Sequence, residues 1–194
     1  MKRIGCIIVI IVGGIIIAGF LLIRNYLTDE RLTTVTRDFL NRTFNRTCEV
    51  KRVSLRFGFG IKIGIDDIRV PNLKGYEEKN LLEIDDVSLQ VSLLPLIFRK
   101  IEISRAEFTG PRVSIERRKD GKMNLPPLPA GKAEGPGFTI DLQDVKINDG
   151  LLVFKDHQTR KTFLIQNLDQ VLKGTDQGFD LLGHGRFFYQ EKMV

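Results

Sequence analysis

The apolar residues of this chain fall into three regimes. From Ile4 to Ile23 they form one run of 20 residues without a charge. At about 1.5 Å per residue, a helix of that length spans about 30 Å, the thickness of a bilayer core. A spanning segment here is helical, because in lipid only a helix satisfies its own backbone hydrogen bonds. From Asp29 to Phe44 the apolar residues recur near the 3.6 period: Leu32, Val35, Phe39 and Phe44, with Leu40 beside them. Thr28 stands at the N-cap position, and Asp29 and Glu30 lie where the helix dipole favours acids. The stripe is one-sided. It suits a helix lying on a membrane surface or one capping the end of a sheet. The cap is favoured, since one-sided stripes usually face a core.

From Glu49 the period becomes two. Phe57, Phe59, Ile61, Ile63 and Ile65 alternate with Gly and Lys. Val87, Leu89, Val91 and Leu93 alternate with Ser88, Gln90 and Ser92, and Val113 and Ile115 with Arg112, Ser114 and Glu116. Such alternation predicts strands with one apolar face, about nine in all. At about 4.8 Å per strand a sheet of nine would be roughly 40 Å long, comparable with one bilayer. Pro71-Asn72, Gly110-Pro111, Asp120-Gly121 and Asp149-Gly150 punctuate the runs as turns. Residues 125–137 are Pro- and Gly-rich without apolar period, which predicts a long exposed loop splitting the sheet.

One six-residue phrase recurs. It reads Ile65-Asp-Asp-Ile-Arg-Val70, Ile84-Asp-Asp-Val-Ser-Leu89, Ile103-Ser-Arg-Ala-Glu-Phe108, Leu142-Gln-Asp-Val-Lys-Ile147 and, weakly, Ile165-Gln-Asn-Leu-Asp-Gln170. The first three copies start 19 residues apart and the fourth starts 39 further on, close to two such steps. Apolar residues occupy positions 1, 4 and 6, except that the weak fifth copy lacks the last. In a strand the odd step from 1 to 4 flips the side chain to the other face, unless a bulge or bend intervenes. Repetition at one level predicts a sheet that curls into a trough, built as a quasi-one-dimensional stack.

The apolar run at the N-terminus is too long for a usual signal-peptide core, and no small-x-small cleavage site follows it. It is expected to remain as an anchor. Lys2 and Arg3 precede it, so the N-terminus is expected in the cytoplasm and the bulk outside. Net charge is +6, but beyond the anchor and its flanks it falls to 27 basic against 24 acidic residues. That is too mild for a nucleic-acid partner. Cys6 lies inside the run and Cys48 beyond it, so they cannot pair. No Cys-based metal site or disulfide framework exists.

No constellation for catalysis emerges, and no enzyme activity, metal or cofactor is expected. His157 and His184 stand alone, without a second histidine at ligand spacing, and are expected at the surface. Gly183-His184-Gly185 reads as turn-like. The Asp66-Asp67 and Asp85-Asp86 carboxylates should diverge, as successive strand residues do, and serve bulges and turns. Arg117-Arg118-Lys119 is a short basic run expected in solvent or at lipid headgroups.

The order of these features resembles the N-terminal region of the AsmA family of bacterial envelope proteins. The likeness starts with the anchor and the helix ending near Phe44. It is strongest in VSLLPLIFRKIEISRAEFTGPRVSIERRKDGKMNL, Val91 to Leu125, and resumes in FTIDLQDVKINDGLLVF, Phe138 to Phe154. The resemblance implies an anchor in the bacterial inner membrane, single-pass, with the bulk periplasmic. It also implies a link to phospholipid movement and outer-membrane assembly. Family members usually run longer, and Phe187 to Val194 reads as the middle of a strand. The chain is therefore expected to be a fragment, a short member or a docking module.

The expected fold is mainly β: a transmembrane helix (1–24), an amphipathic helix (25–47), and a curved, mostly antiparallel sheet forming an open groove (48–194). Ile4 and Ile23 bound the anchor. The candidate lipid-binding lining comprises Phe57, Phe59, Ile61, Ile63, Val87, Leu89, Val91, Leu93, Ile101, Ile103, Val113, Ile115, Ile140, Leu142, Val145 and Ile147. Expected partners are the inner membrane, phospholipid, and other envelope proteins or a further strand pairing at the last one. The alternative function is a structural or assembly factor that binds no lipid.

Overall fold

The computed structural model describes residues 28–58, 60–97, 100–126, 139–175 and 178–191. Among the described residues no helix is long and apolar enough to cross a membrane. The expected anchor, 1–24, lies outside them, as do Phe59 and residues 127–137 of the expected loop.

Helix α1 runs Asp29–Phe44. The Thr28 side chain accepts the Arg31 N–H at 3.4 Å, and Asn45 ends the helix in the left-handed region at φ 52°. It is tied to the first strand, β1 (Glu49–Phe57), by two side chains. Thr33 Oγ1 accepts the Val53 N–H at 2.8 Å, and Asn41 Oδ1 accepts the Cys48 N–H at 2.6 Å. These contacts run α1 antiparallel to β1 and occupy donors on a sheet edge that would otherwise be bare. Leu40 and Phe44 pack on the core, as the cap reading expects. The expected stripe is only half used, however: Val35 and Phe39 are 66% and 64% exposed.

The remaining strands are β2 (Ile61–Pro71), β3 (Asn80–Val91), β4 (Lys100–Thr109), β5 (Arg112–Arg117), β6 (Thr139–Asp156), β7 (Lys161–Thr175) and β8 (Gly178–Glu191). A short helix, α2 (Leu93–Ile97), links β3 to β4. All eight strands form one curved sheet, ordered β1-β2-β3-β4-β6-β7-β8, with β5 pairing β3 and β6. Because β4 and β5 share one line, the expected nine strands are eight in seven positions, spanning about 30 Å rather than 40.

The repeat acquires a different meaning in this topology. The first two phrases face each other antiparallel, with Ile65 opposite Val87 and Ile68 opposite Ile84. Position 1 of each copy therefore meets position 4 of the other. The third and fourth phrases lie side by side in parallel register, Ile103 with Leu142 and Phe108 with Ile147. The 39-residue spacing is thus one parallel crossover, not two steps of 19. The sheet is antiparallel except along this seam.

A bend crosses the strands at one level. Asp67, Gly110, Asp149 and Asn167 all have positive φ, at 53°, 60°, 52° and 50°. Asp67 falls between the pairs Asp66–Asp86 and Ile68–Ile84, so it faces Asp85. A Cβ on Gly110 would fall on the Asp85 carboxylate, which is one reason glycine is required there. The Gly110 N–H donates to the Asn148 carbonyl at 2.9 Å, and the Asp149 N–H to Asp169 Oδ1 at 2.9 Å. At β7 and β8 the bend is a true insertion, since Gln166 pairs Arg186 and the next pair is Asp169 with His184. At β2 and β3 no residue is inserted in one strand against the other. Both kink together.

The bend cancels the flip that the odd step would cause. Ile65, Ile68 and Val70, with Ile84, Val87 and Leu89, all belong to one packed cluster. In these two copies positions 1, 4 and 6 therefore share a face. On one side of the bend an apolar row runs Leu55, Ile63, Leu89, Ala106, Val145, Leu172, Leu181. On the other it runs Val70, Leu82, Val113, Leu152, Ile165, Phe187. Cover over this face is graded. Val53, Val70 and Val87 are buried in β1 to β3, β7 is half-buried, and in β8 Leu181 and Phe187 are 59% and 62% exposed.

The left-handed positions give a stability test. Asn167→Gly is expected to be neutral or slightly stabilising, whereas Asn167→Val should cost about 1–2 kcal/mol, because a β-branched residue resists that conformation. Gly110→Val should cost more than Asn167→Val, adding the clash with Asp85. Denaturant unfolding of the three variants beside the unaltered chain checks the order.

Candidate functional site

The bend places most of the sequence-predicted lining on one surface. Phe57, Ile61, Ile63, Leu89, Ile103, Val145 and Ile147 lie on one side of it, and Val113 and Ile115 on the other. Val87 and Val91 share the face but are 4% and 7% exposed, so they are core. Ile101 pairs Ile140, and Ile103 pairs Leu142, across the parallel seam. Leu93 is not on a strand. The alternation stops at Val91, and Leu93 opens helix α2, where it and Leu94 are exposed.

The open part of the face lies farther along the chain. Ile115, Phe154, Phe163 and Tyr189 are successive cross-strand neighbours, as are Val113, Leu152, Ile165 and Phe187. Phe163 is the hub: its ring centroid is 6.1 Å from Phe154, 6.2 Å from Phe187 and 5.2 Å from Tyr189, all tilted. Such tilted pairs add to the burial of aromatic area. Among the described residues no second sheet and no helix forms a layer over β6, β7 and β8. Sequence reasoning missed these residues because Leu151-Leu152-Val153-Phe154 and Phe187-Phe188-Tyr189 are unbroken apolar runs, which do not say which residues share a face.

The sequence model of the AsmA family matches residues 1–174. The chain belongs to the AsmA family. No curated protein and no solved structure matches it. Within this AsmA-family chain the match takes in α1 and strands β1 to β6 and ends inside β7, so the aromatic row runs past the matched residues into β8.

The opposite face carries a buried polar network where β5 meets the β2–β3 connection. Glu116 is fully buried and accepts the backbone N–H groups of Glu77 and Glu78, both at 2.9 Å, and the Asn72 amide at 3.3 Å. His157 Nε2 lies 3.4 Å from the same carboxylate. Fully buried Asn124 accepts the Glu116 N–H at 2.9 Å and donates to the Ser114 carbonyl at 2.7 Å. Arg46 bridges the Pro71 and Asn124 carbonyls. A buried carboxylate with this many donors is a clamp, fixing the β2–β3 connection to β5. His157 is therefore part of the interior network rather than the surface residue expected. His184 is exposed and 3.2 Å from Asp169, within strand β8 rather than a turn.

The acidic pairs separate as expected. Asp66 pairs with Arg52 at 2.8 Å and Asp67 with Arg69 at 2.9 Å. Asp85 meets Arg112 at 3.2 Å, whereas burial, with Asp66 and Glu107 nearby, raises the Asp86 carboxyl above its usual value. Among the described residues no group of three or more His, Cys, Asp and Glu side chains could hold a metal ion. Arg117 departs from the expectation of a solvated basic run. It forks onto Asp156, which also accepts the Thr159 hydroxyl at 2.6 Å.

Arg117 first, then Thr159 and the Gln158 and Thr159 N–H groups, hold the Asp156 carboxyl well below the ordinary aspartate value of 3.8. A depressed folded-state value contributes stability above the unfolded value that is lost as pH falls. The unaltered chain should therefore lose stability between about pH 5 and pH 2, and Asp156→Asn should flatten that slope while lowering stability near neutral pH. Urea midpoints across that range check both signs.

Proposed function

We propose that this protein is a periplasmic lipid-binding sheet held in the bacterial inner membrane by residues 4–23, with its N-terminus cytoplasmic. Its open apolar face takes phospholipid acyl chains and supports outer-membrane assembly. The observation that carries this reading is the apolar surface of β5 to β8, where Leu152, Phe154, Phe163, Ile165 and Phe187 continue the face that is buried in β1 to β3. Leu152, Phe154, Phe163 and Ile165 are half-buried and Phe187 is exposed, and a contiguous apolar patch open to solvent supports an interaction site. Its lining is aliphatic and aromatic, which suits chains of methylene groups better than a polar ligand. Envelope function is consistent with membership in the AsmA family.

A second reading has its own observation. The β8 edge offers a 14-residue strand with Leu181, Leu182, Phe187, Phe188 and Tyr189 exposed across both faces. Such an edge invites pairing. Under this reading the occupant is a strand of another envelope protein or of further chain, and the protein is an assembly factor.

Photo-crosslinking separates the two. Benzoylphenylalanine in place of Phe163 should capture phospholipid in cells labelled with radioactive phosphate. The same group in place of Lys155, on the opposite face, should capture several-fold less. Protein adducts at Phe163 without lipid would favour the assembly-factor reading.

A further inference from the structure

Helix α1 carries more apolar surface than it buries. Leu40 and Phe44 pack on the sheet, whereas Val35 and Phe39, four residues apart on the neighbouring side, stay 66% and 64% exposed. The helix stands at the very end of the strand order, since β1 is an edge strand and α1 occupies its outer N–H groups through Thr33 and Asn41. The uncharged run ends at Ile23, and only residues 24–27 separate it from Thr28. Five extended steps reach at most about 18 Å.

From these observations we propose that α1 rests on the bilayer surface through Val35 and Phe39. The sheet then stands off the membrane with β1 nearest and its strands along the membrane plane. This rests on the reading of residues 4–23 as an anchor. The tether confines the start of α1 to the neighbourhood of the headgroups, where a small apolar contact is made at high effective concentration. Asp29, Glu30 and Asp38 balance Arg31, Arg37 and Arg42 along the helix, so docking depends on apolar insertion rather than headgroup charge. Because α1 runs antiparallel to β1, a helix lying flat sets the strands flat, and the order β1 to β8 leads away from the bilayer. The open aromatic surface of β6 to β8 is then held clear of the membrane that anchors it.

The chain contains no tryptophan, so a single one reports cleanly. Full-length Phe39→Trp and Leu182→Trp would be reconstituted in phosphatidylcholine vesicles containing phosphatidylglycerol, with lipids brominated at shallow or deep acyl positions. The Trp at 39 should emit to the blue and be quenched about twofold or more, better by shallow than deep bromines and equally at low and high salt. The Trp at 182, on β8 and about 30 Å along the sheet, should emit as in water and respond to aqueous iodide instead. Solvent-like emission at 39 in protein that resists alkaline extraction would overturn the docking and leave the anchor standing. Extraction by alkali would overturn the anchor, and the docking with it. Equal quenching at both positions would mean that the sheet lies flat. Quenching complete at a small fraction of brominated lipid would mean a bound acyl chain. Blue emission without quenching would mean a second copy. Each of these three contradicts the proposal.

Discussion

A change of side-chain phase that recurs at one level in neighbouring strands governs the rest of this structure. A strand whose apolar residues fall at positions 1, 4 and 6 would present them to both faces, and a single-layer sheet cannot bury both. Left-handed Asp67 and Asn167, each at position 3 of its copy, absorb the odd step there, whereas in the third copy, which ends before Gly110, a register shift at Ser104 absorbs it. Aspartate, asparagine and glycine are the residue types that tolerate this conformation at least cost. The recurring Asp-Asp and Gln-Asn of the phrase are therefore backbone chemistry rather than acid–base chemistry.

Once both phases share a face, the sheet has one continuous apolar side, and the chain covers it unevenly. At the β1 end Leu40 and Phe44 of helix α1 pack against the core. Full burial of a side chain such as Leu40 or Phe44 contributes about 1.5–3 kcal/mol, and partial burial less. Beyond β4 the cover ends while the apolar rows continue. A sheet of this kind is stabilised at its N-terminal end by packing and along its length by pairing. On the reverse face the Glu116 clamp locks the β2–β3 connection to β5, and at the ends of β5 and β6 the Arg117–Asp156 pair closes the apolar side.

Much of this was legible in the residues. The periods of 3.6 and two located α1 and the strands, and Thr28 with Asp29 and Glu30 marked the helix start within a residue. The phrase announced the bend, because its odd step recurs. Topology was less legible. Spacings of 19 and 39 residues look like one period and its double, and only the pairing shows a hairpin in one case and a parallel crossover in the other. Leu93 was misplaced because Leu-Leu-Pro-Leu continues the alternation by one residue before turning helical. The open site escaped notice because its strands are apolar on both faces. His157 looked solitary because its partner Glu116 is 41 residues away.

The most direct test is native mass spectrometry of the full-length chain released from detergent, with bound phospholipid counted per protein. A continuous apolar face open over β6 to β8 predicts near-stoichiometric phospholipid. It also predicts that Phe163→Asp or Ile165→Asp loses the lipid while the denaturant midpoint of the buried β1–β3 region is kept. Lipid-free unaltered protein, or lipid retained in both variants, would contradict it.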